Sequence, residues 1–178
     1  MTWTLQKLLA RPEFKKAGGK TLVYAAIPGP EMVAKAKEAG EGGHVRCKVG
    51  AAVDDRYAPP VMLDGTVVKI LDRERNDQVV IKTGSMLVIV GEDRSPYHYK
   101  GDFERLGINP YDVDIIVVKL GYLTEELYEI SHAGDWMMAQ TRGGVDQDLL
   151  QLPYKRLERP IFPLDPDMPD PDLEVVFM

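Results

Sequence analysis

Apolar residues at Trp3, Leu5, Leu8 and Leu9 recur at a mostly helical spacing and predict a short helix over residues 2–11, closed by Pro12. The chain opens directly in that helix, with nothing before Thr2 to cap it, which hints at a preceding segment. Gly18-Gly19 reads as a turn and residues 21–27 as a buried strand. Pro28-Gly29-Pro30 then opens a second helix, with Pro30 near its first position and Glu31 at its positive end. Met32, Val33, Ala36 and Ala39 form the apolar stripe of this helix, and Gly40 suits its C-terminal cap. A strand over residues 44–49 follows, so strand, helix and strand make a βαβ-like unit.

The middle of the chain is rich in strand patterns, over residues 61–71, 78–83 and 86–90. Asn76-Asp77 and Thr83-Gly84-Ser85 mark the turns between them, and such short links require antiparallel pairing. Residues 102–106 predict a short helix. Residues 114–119 read Asp-Ile-Ile-Val-Val-Lys, the pattern of a central strand covered on both faces. Thr124 is placed to cap a further helix, and Leu123 to staple onto Tyr128. Residues 136–139 predict another buried strand, Arg142-Gly143-Gly144 a loop, and residues 146–150 a helical turn.

Beyond Leu152, prolines at 153, 160, 163, 166, 169 and 171 predict an extended strap. The expected fold is α/β: a mixed sheet with flanking helices, an antiparallel strand-rich middle and a proline-rich C-terminal strap. Residues 1–152 form the expected domain, and residues 153–178 a strap packed on it or trailing from it.

Composition narrows the function classes. The 178 residues are 44% apolar and 28% charged, which is ordinary for a globular chain. With 22 basic and 28 acidic residues the net charge is −6, which gives no support to nucleic-acid binding or to an anionic membrane partner. Part of the acidity is local: Asp165, Asp167, Asp170, Asp172 and Glu174 alternate with prolines and read as a solvated tail. Cys47 is the single cysteine and has no partner for an internal disulfide, which suits a reducing compartment. No apolar stretch reaches the ~20 residues of a membrane-spanning helix, and the first residues lack the apolar core of a signal peptide. A cytoplasmic location is the expectation.

Candidate chemistry is sparse. His44, His98 and His132 are far apart in sequence, and none lies in a metal-binding spacing. His98 stands in a polar aromatic loop, Tyr97-His98-Tyr99, preceded by Glu92-Asp93-Arg94. Arg142-Gly143-Gly144 could present a guanidinium and backbone donors to an anion, or be only a tight turn. Lys119 ends an apolar strand, where α/β sheets form their ligand crevices, unless its amine simply reaches solvent. No Ser/His/Asp or Cys/His arrangement is legible. A small enzyme acting through Lys119 or Cys47 is the weakest reading.

Four segments, in order, carry a resemblance. They are Asp102-Phe103-Glu104-Arg105-Leu106-Gly107-Ile108-Asn109-Pro110, Ile116-Val117-Val118-Lys119, Gly143-Gly144-Val145-Asp146, and Arg159-Pro160-Ile161-Phe162-Pro163-Leu164-Asp165. Together they resemble the C-terminal domain of MlrC-like proteins, the microcystinase C type of zinc metallopeptidase. Ile27-Pro28-Gly29-Pro30-Glu31, Ala39-Gly40 and Val49-Gly50 resemble the opening of that domain.

The resemblance implies a substrate-side domain without the metal ligands, which in this family are histidine and acidic side chains of an N-terminal domain. It implies no cofactor in this chain and zinc in the N-terminal domain, with that domain or chain as partner; apart from the resemblance, a homo-oligomer is left open. Family members follow the strand-end lysine with a Ser-x-x-His-Phe-like segment. Here Leu120-Gly121-Tyr122-Leu123 follows, so Tyr122 replaces the histidine only as a hydrogen-bonding group. Met1-Thr2-Trp3 then looks like a cut behind a glycine-rich joint. The expected substrate-binding residues are Arg94, His98, Lys119, Tyr122 and Arg142, with no catalytic or metal-binding residue. The rival reading is a free-standing ligand-binding or interaction module without catalysis.

Overall fold

The computed structural model describes residues 1–16, 18–52, 55–131, 135–141 and 148–170. The chain divides into two compact units, Met1–Thr141 and Arg142–Met178.

The first unit opens with α1 (Thr2–Ala10) and α2 (Pro12–Lys15). Pro12 ends the first helix as expected, and because proline suits a first helical position it also starts the second. Then come β1 (Leu22–Pro28), α3 (Pro30–Ala39), β2 (His44–Val49), β3 (Val61–Leu71), β4 (Gln78–Thr83) and β5 (Met86–Gly91). The unit closes with α4 (Lys100–Glu104), β6 (Ile115–Val118) and α5 (Glu125–Ile130).

One six-stranded sheet runs β2-β3-β4-β5-β1-β6. Strands β2 to β5 pair antiparallel, whereas β1 pairs parallel with both β5 and β6. The expected mixed sheet with an antiparallel middle is therefore present.

Burial follows coverage. On one face Leu22 and Tyr24 of β1 pack with Met86, Val88, Val90 and Leu63 under Leu5 of α1 and Met32, Val33 and Ala36 of α3. On the other face Val23, Ala25, Val80 and Ile89 pack under Phe103 of α4, Leu106, and Leu127 and Ile130 of α5. Strand β1 is covered on both faces, and its first four residues are all buried. Strand β2 alternates strictly between exposed and buried residues, because one of its faces meets solvent.

Four expectations need correction. First, β1 and β2 do not form a parallel βαβ unit. Helix α3 carries the chain to the far edge of the sheet, past β5, β4 and β3, and the ladder makes β2 antiparallel to β1. Second, the Ile-Ile-Val-Val run is β6, an edge strand, and Ile115 is exposed. Ile116 and Val118 pack against the cluster that holds Leu127 and Ile130 of α5 and Val117 against the opposite one, but all three are only partly buried, and β1 holds the central place instead. Third, Trp136, Met137 and Met138 form no strand and are exposed. Fourth, Thr124 stands at the N-cap of α5 as expected, but its hydroxyl donates to the His98 carbonyl at 2.6 Å and makes no cap bond, and Tyr128 is exposed. Ala39 also falls outside the buried stripe of α3.

The described part of the second unit holds one short turn of 3-10 helix, Leu149–Gln151, followed by chain without strand or helix. Asp165 organises it: its carboxylate pairs with the Arg159 guanidinium and accepts from the Ile161 N–H at 2.8 Å.

Candidate functional site

The three parallel strands β5, β1 and β6 end at one edge of the sheet, and their connections leave in opposite directions. After β1 the chain turns to α3, over the face covered by Met32 and Val33. After β5 and β6 it turns to α4 and α5, over the face covered by Phe103 and Leu127. Neighbouring parallel strands whose connections part in this way leave a crevice outside their carboxyl ends, where α/β sheets bind ligands.

Gly29 directly follows β1 at that end of the sheet. Its N–H donates to the Gly91 carbonyl at 2.8 Å, and the Gly50 N–H donates to the Pro28 carbonyl at 2.8 Å. The ends of β1, β2 and β5 are thus tied together. A β-carbon on Gly29 would lie 2.8 Å from Val90 Cγ1 and 2.9 Å from Val49 Cγ1, so the close approach requires glycine.

Two of the expected residues follow the strands on either side of β1. Arg94 lies in the loop after β5, and Lys119 directly follows β6. The Lys119 amine is held below its ordinary value, first by partial burial and then by the Arg94 guanidinium. The Met1 amino group is lowered by burial and, more weakly, by Lys119. Among the described residues, neither Arg94 nor Lys119 forms an ion pair with a carboxylate.

The loop that carries Arg94 is fixed by a polar network which the sequence pattern did not reveal. Gln78, the first residue of β4, is 2% exposed. Its Nε2 donates to Ser95 Oγ at 2.8 Å, and its Oε1 accepts from the Tyr97 hydroxyl at 3.1 Å. Asn76 Nδ2 donates to the same Ser95 oxygen at 2.6 Å, and Asn76 Oδ1 accepts from the Asp93 N–H at 2.8 Å. The residues on both sides of Arg94 are therefore anchored. Burial pushes the Tyr97 hydroxyl far above its usual range, so it stays a neutral donor. The only signal in the sequence was an amide opening an apolar strand directly after an Asn-Asp turn.

His98 acts through its main chain. Its N–H donates to the Asp102 carboxylate at 2.9 Å, and its carbonyl accepts from Thr124. It joins the starts of α4 and α5. Tyr122 is 83% exposed and projects into solvent. Arg142 and His132 lie outside the described residues. Cys47 is buried, and burial raises its thiol pKa, the reverse of what a nucleophile needs. Among the described residues no group of three or more His, Cys, Asp or Glu side chains could hold a metal ion. His44 pairs instead with Asp64 at 2.9 Å on the exposed face of β2 and β3. No helix of the described residues is long and apolar enough to cross a membrane. A concave surface lined by Leu152, Tyr154, Leu157 and Arg159 lies within the second unit and includes none of the expected residues.

Comparison with known proteins places this geometry in a lineage. A family model described as the MlrC C-terminus matches residues 1–156. Among solved structures, one from Mesorhizobium sp. BNC1, assigned as a metallopeptidase, superposes with a TM-score of 0.65 at 22% identity. The match covers 90% of this chain and 33% of that one, so this chain spans about a third of its length. At that identity the likeness is one of fold. No curated protein matches the chain.

Proposed function

The chain belongs to the MlrC C-terminus family, and on that premise we propose that it is the substrate-side domain of an MlrC-like metallopeptidase or hydrolase, inactive without a metal-binding N-terminal domain. The family match over residues 1–156 is the observation that carries the reading. The span of about a third of a larger chain assigned as a metallopeptidase is consistent with it. The described residues offer no donor set that fits zinc. Zinc would be held by the N-terminal domain, as a separate chain or as a linked segment, and the two would meet in a reducing, cytoplasmic setting.

The test mixes the purified chain with an N-terminal metal-binding domain of the same family, loaded with zinc. Peptide hydrolysis is expected from the mixture and not from this chain alone, with the zinc remaining on the partner. Stoichiometric zinc on this chain together with unaided cleavage would overturn the reading.

A second reading is favoured by one observation. Among the described residues, every buried member of both clusters falls between Leu5 and Ile130. The first unit could serve as a free-standing ligand-binding module. Failure to associate with any N-terminal domain, with a ligand retained on the monomer, would decide for that alternative.

A further inference from the structure

We propose that the outer edge of β6 is a docking site for residues 136–140 of the same chain, which add to the sheet as a seventh strand parallel to β6. Among the described residues β6 pairs with β1 alone and ends the sheet. Residues 136–140 form no strand in the structure, and Trp136, Met137 and Met138 stand exposed. The structure thus holds the segment off the edge, and three observations assign the one to the other.

The first is chirality. Strands β5 and β6 are both parallel to β1, so the chain between them is a parallel crossover. It runs over the face covered by Tyr97, Phe103 and Leu106, and it steps from β5 past β1 to β6. Crossovers of this kind are nearly always right-handed. Helix α5 leaves β6 over that same face, where Leu127 and Ile130 are buried. Two crossovers of one hand over one face step in one direction, so a parallel strand after α5 falls on the outer edge of β6. Five residues separate Ile130 from Trp136, within the roughly two to six usual for a helix-to-strand link.

The second is the contrast between the two edges of the sheet. Strand β2, at the far end, exposes His44, Arg46 and Lys48, charges that discourage further pairing. Strand β6 is Ile-Ile-Val-Val with no charge, the composition of a parallel strand with cover on both faces. Ile116 and Val118 pack toward one face and Val117 toward the other, and all three are only half-buried.

The third is the segment itself. Its five residues match the four of β6 in length. In a strand Trp136 and Met138 share one face and Met137 and Ala139 the other, so docking adds apolar side chains beside both half-covered faces of β6. It also carries Thr141 to the edge where β5, β1 and β6 end and where α/β sheets bind ligands. The segment is therefore a closing element of that edge, and its docking does not depend on the hydrolase reading.

The test is amide hydrogen exchange by NMR on the isotope-labelled 178-residue chain, at two protein concentrations tenfold apart. Exchange slowed by about tenfold or more relative to open chain is expected at alternate residues of 136–140 and at the β6 amides that do not bond to β1, equally at both concentrations. Proline then discriminates, because successive strand residues offer their N–H to opposite sides. Of Met137→Pro and Met138→Pro, one should abolish this protection and the other should largely keep it, since proline is tolerated only where the N–H faces solvent. The amides of β1 and β5 should stay protected in both, which reports that the fold is intact. Open-chain exchange throughout residues 136–140, protection of β6 that rises with protein concentration as a second copy pairs there, or equal effects of the two prolines would overturn the proposal.

Discussion

At the scale of single residues, Gly29 shows how a short side chain can set the geometry of a site. Its φ of −170° is extended backbone open to any residue, so conformation alone does not call for glycine. The constraint is steric, from Val90 and Val49 on either side. Gly29→Ala should therefore destabilise the chain by roughly 1–3 kcal/mol, the usual cost of forcing a methyl group into a packed interior. Urea unfolding would show this as a lower midpoint, and pairing it with Val49→Ala should recover part of the loss. A Gly29→Ala variant as stable as the parent would mean that this turn is looser than its contacts indicate. Sequence reading placed Gly29 correctly at a strand-to-helix turn but had no access to Val49 and Val90. Those neighbours are brought in by strands 20 and 61 residues away along the chain.

At the scale of elements, the start of β6 is held to β1 by a reciprocal clamp. The Asp114 carboxylate accepts from the Thr21 N–H at 2.7 Å and from the Thr21 hydroxyl at 2.9 Å, and the Asp114 N–H donates to Thr21 Oγ1 at 3.0 Å. These bonds hold the Asp114 carboxyl below its usual range, the Thr21 N–H contributing most. The carboxyl thus binds its proton more tightly in the unfolded chain than in the folded one. Its contribution to stability is present above the unfolded value, about 3.9, and is lost as pH falls through the lower folded value. Below about pH 4 the parent chain should lose stability more steeply than Asp114→Asn. Urea midpoints between pH 2 and pH 6 would check this, and parallel curves for the two chains would rule it out. Periodicity located β3, β4 and β5 almost to the residue, because hairpin strands are set by local alternation and turn chemistry. It could not tell an edge strand from a central one. The Ile-Ile-Val-Val run looks buried on both faces, yet neighbour order depends on where α3 sends the chain. For the same reason Trp136 to Met138 read as core and prove exposed, since apolar character does not say whether an element exists to cover it.

At the scale of the whole molecule, the candidate residues that the structure describes and both described core clusters lie in the first unit. Strand-end position made Lys119 legible in the sequence, and the loop after β5 made Arg94 a candidate. That the strands they follow flank β1 was not legible, because it depends on a parallel order, β5-β1-β6, that no local pattern encodes. Among the described residues both buried clusters end at Ile130, and the clamp, Gly29 and the Gln78 network all precede Thr141. A chain ending at Thr141 should therefore fold to the same sheet, with urea midpoint and m-value close to those of the full chain, since the slope follows the surface exposed on unfolding. Its amide spectrum should keep the signals of β1 to β6, including those of Arg94 and Lys119. A shortened chain that is molten, with apolar surface exposed to dye, would show that residues 142–178 complete the core rather than follow it.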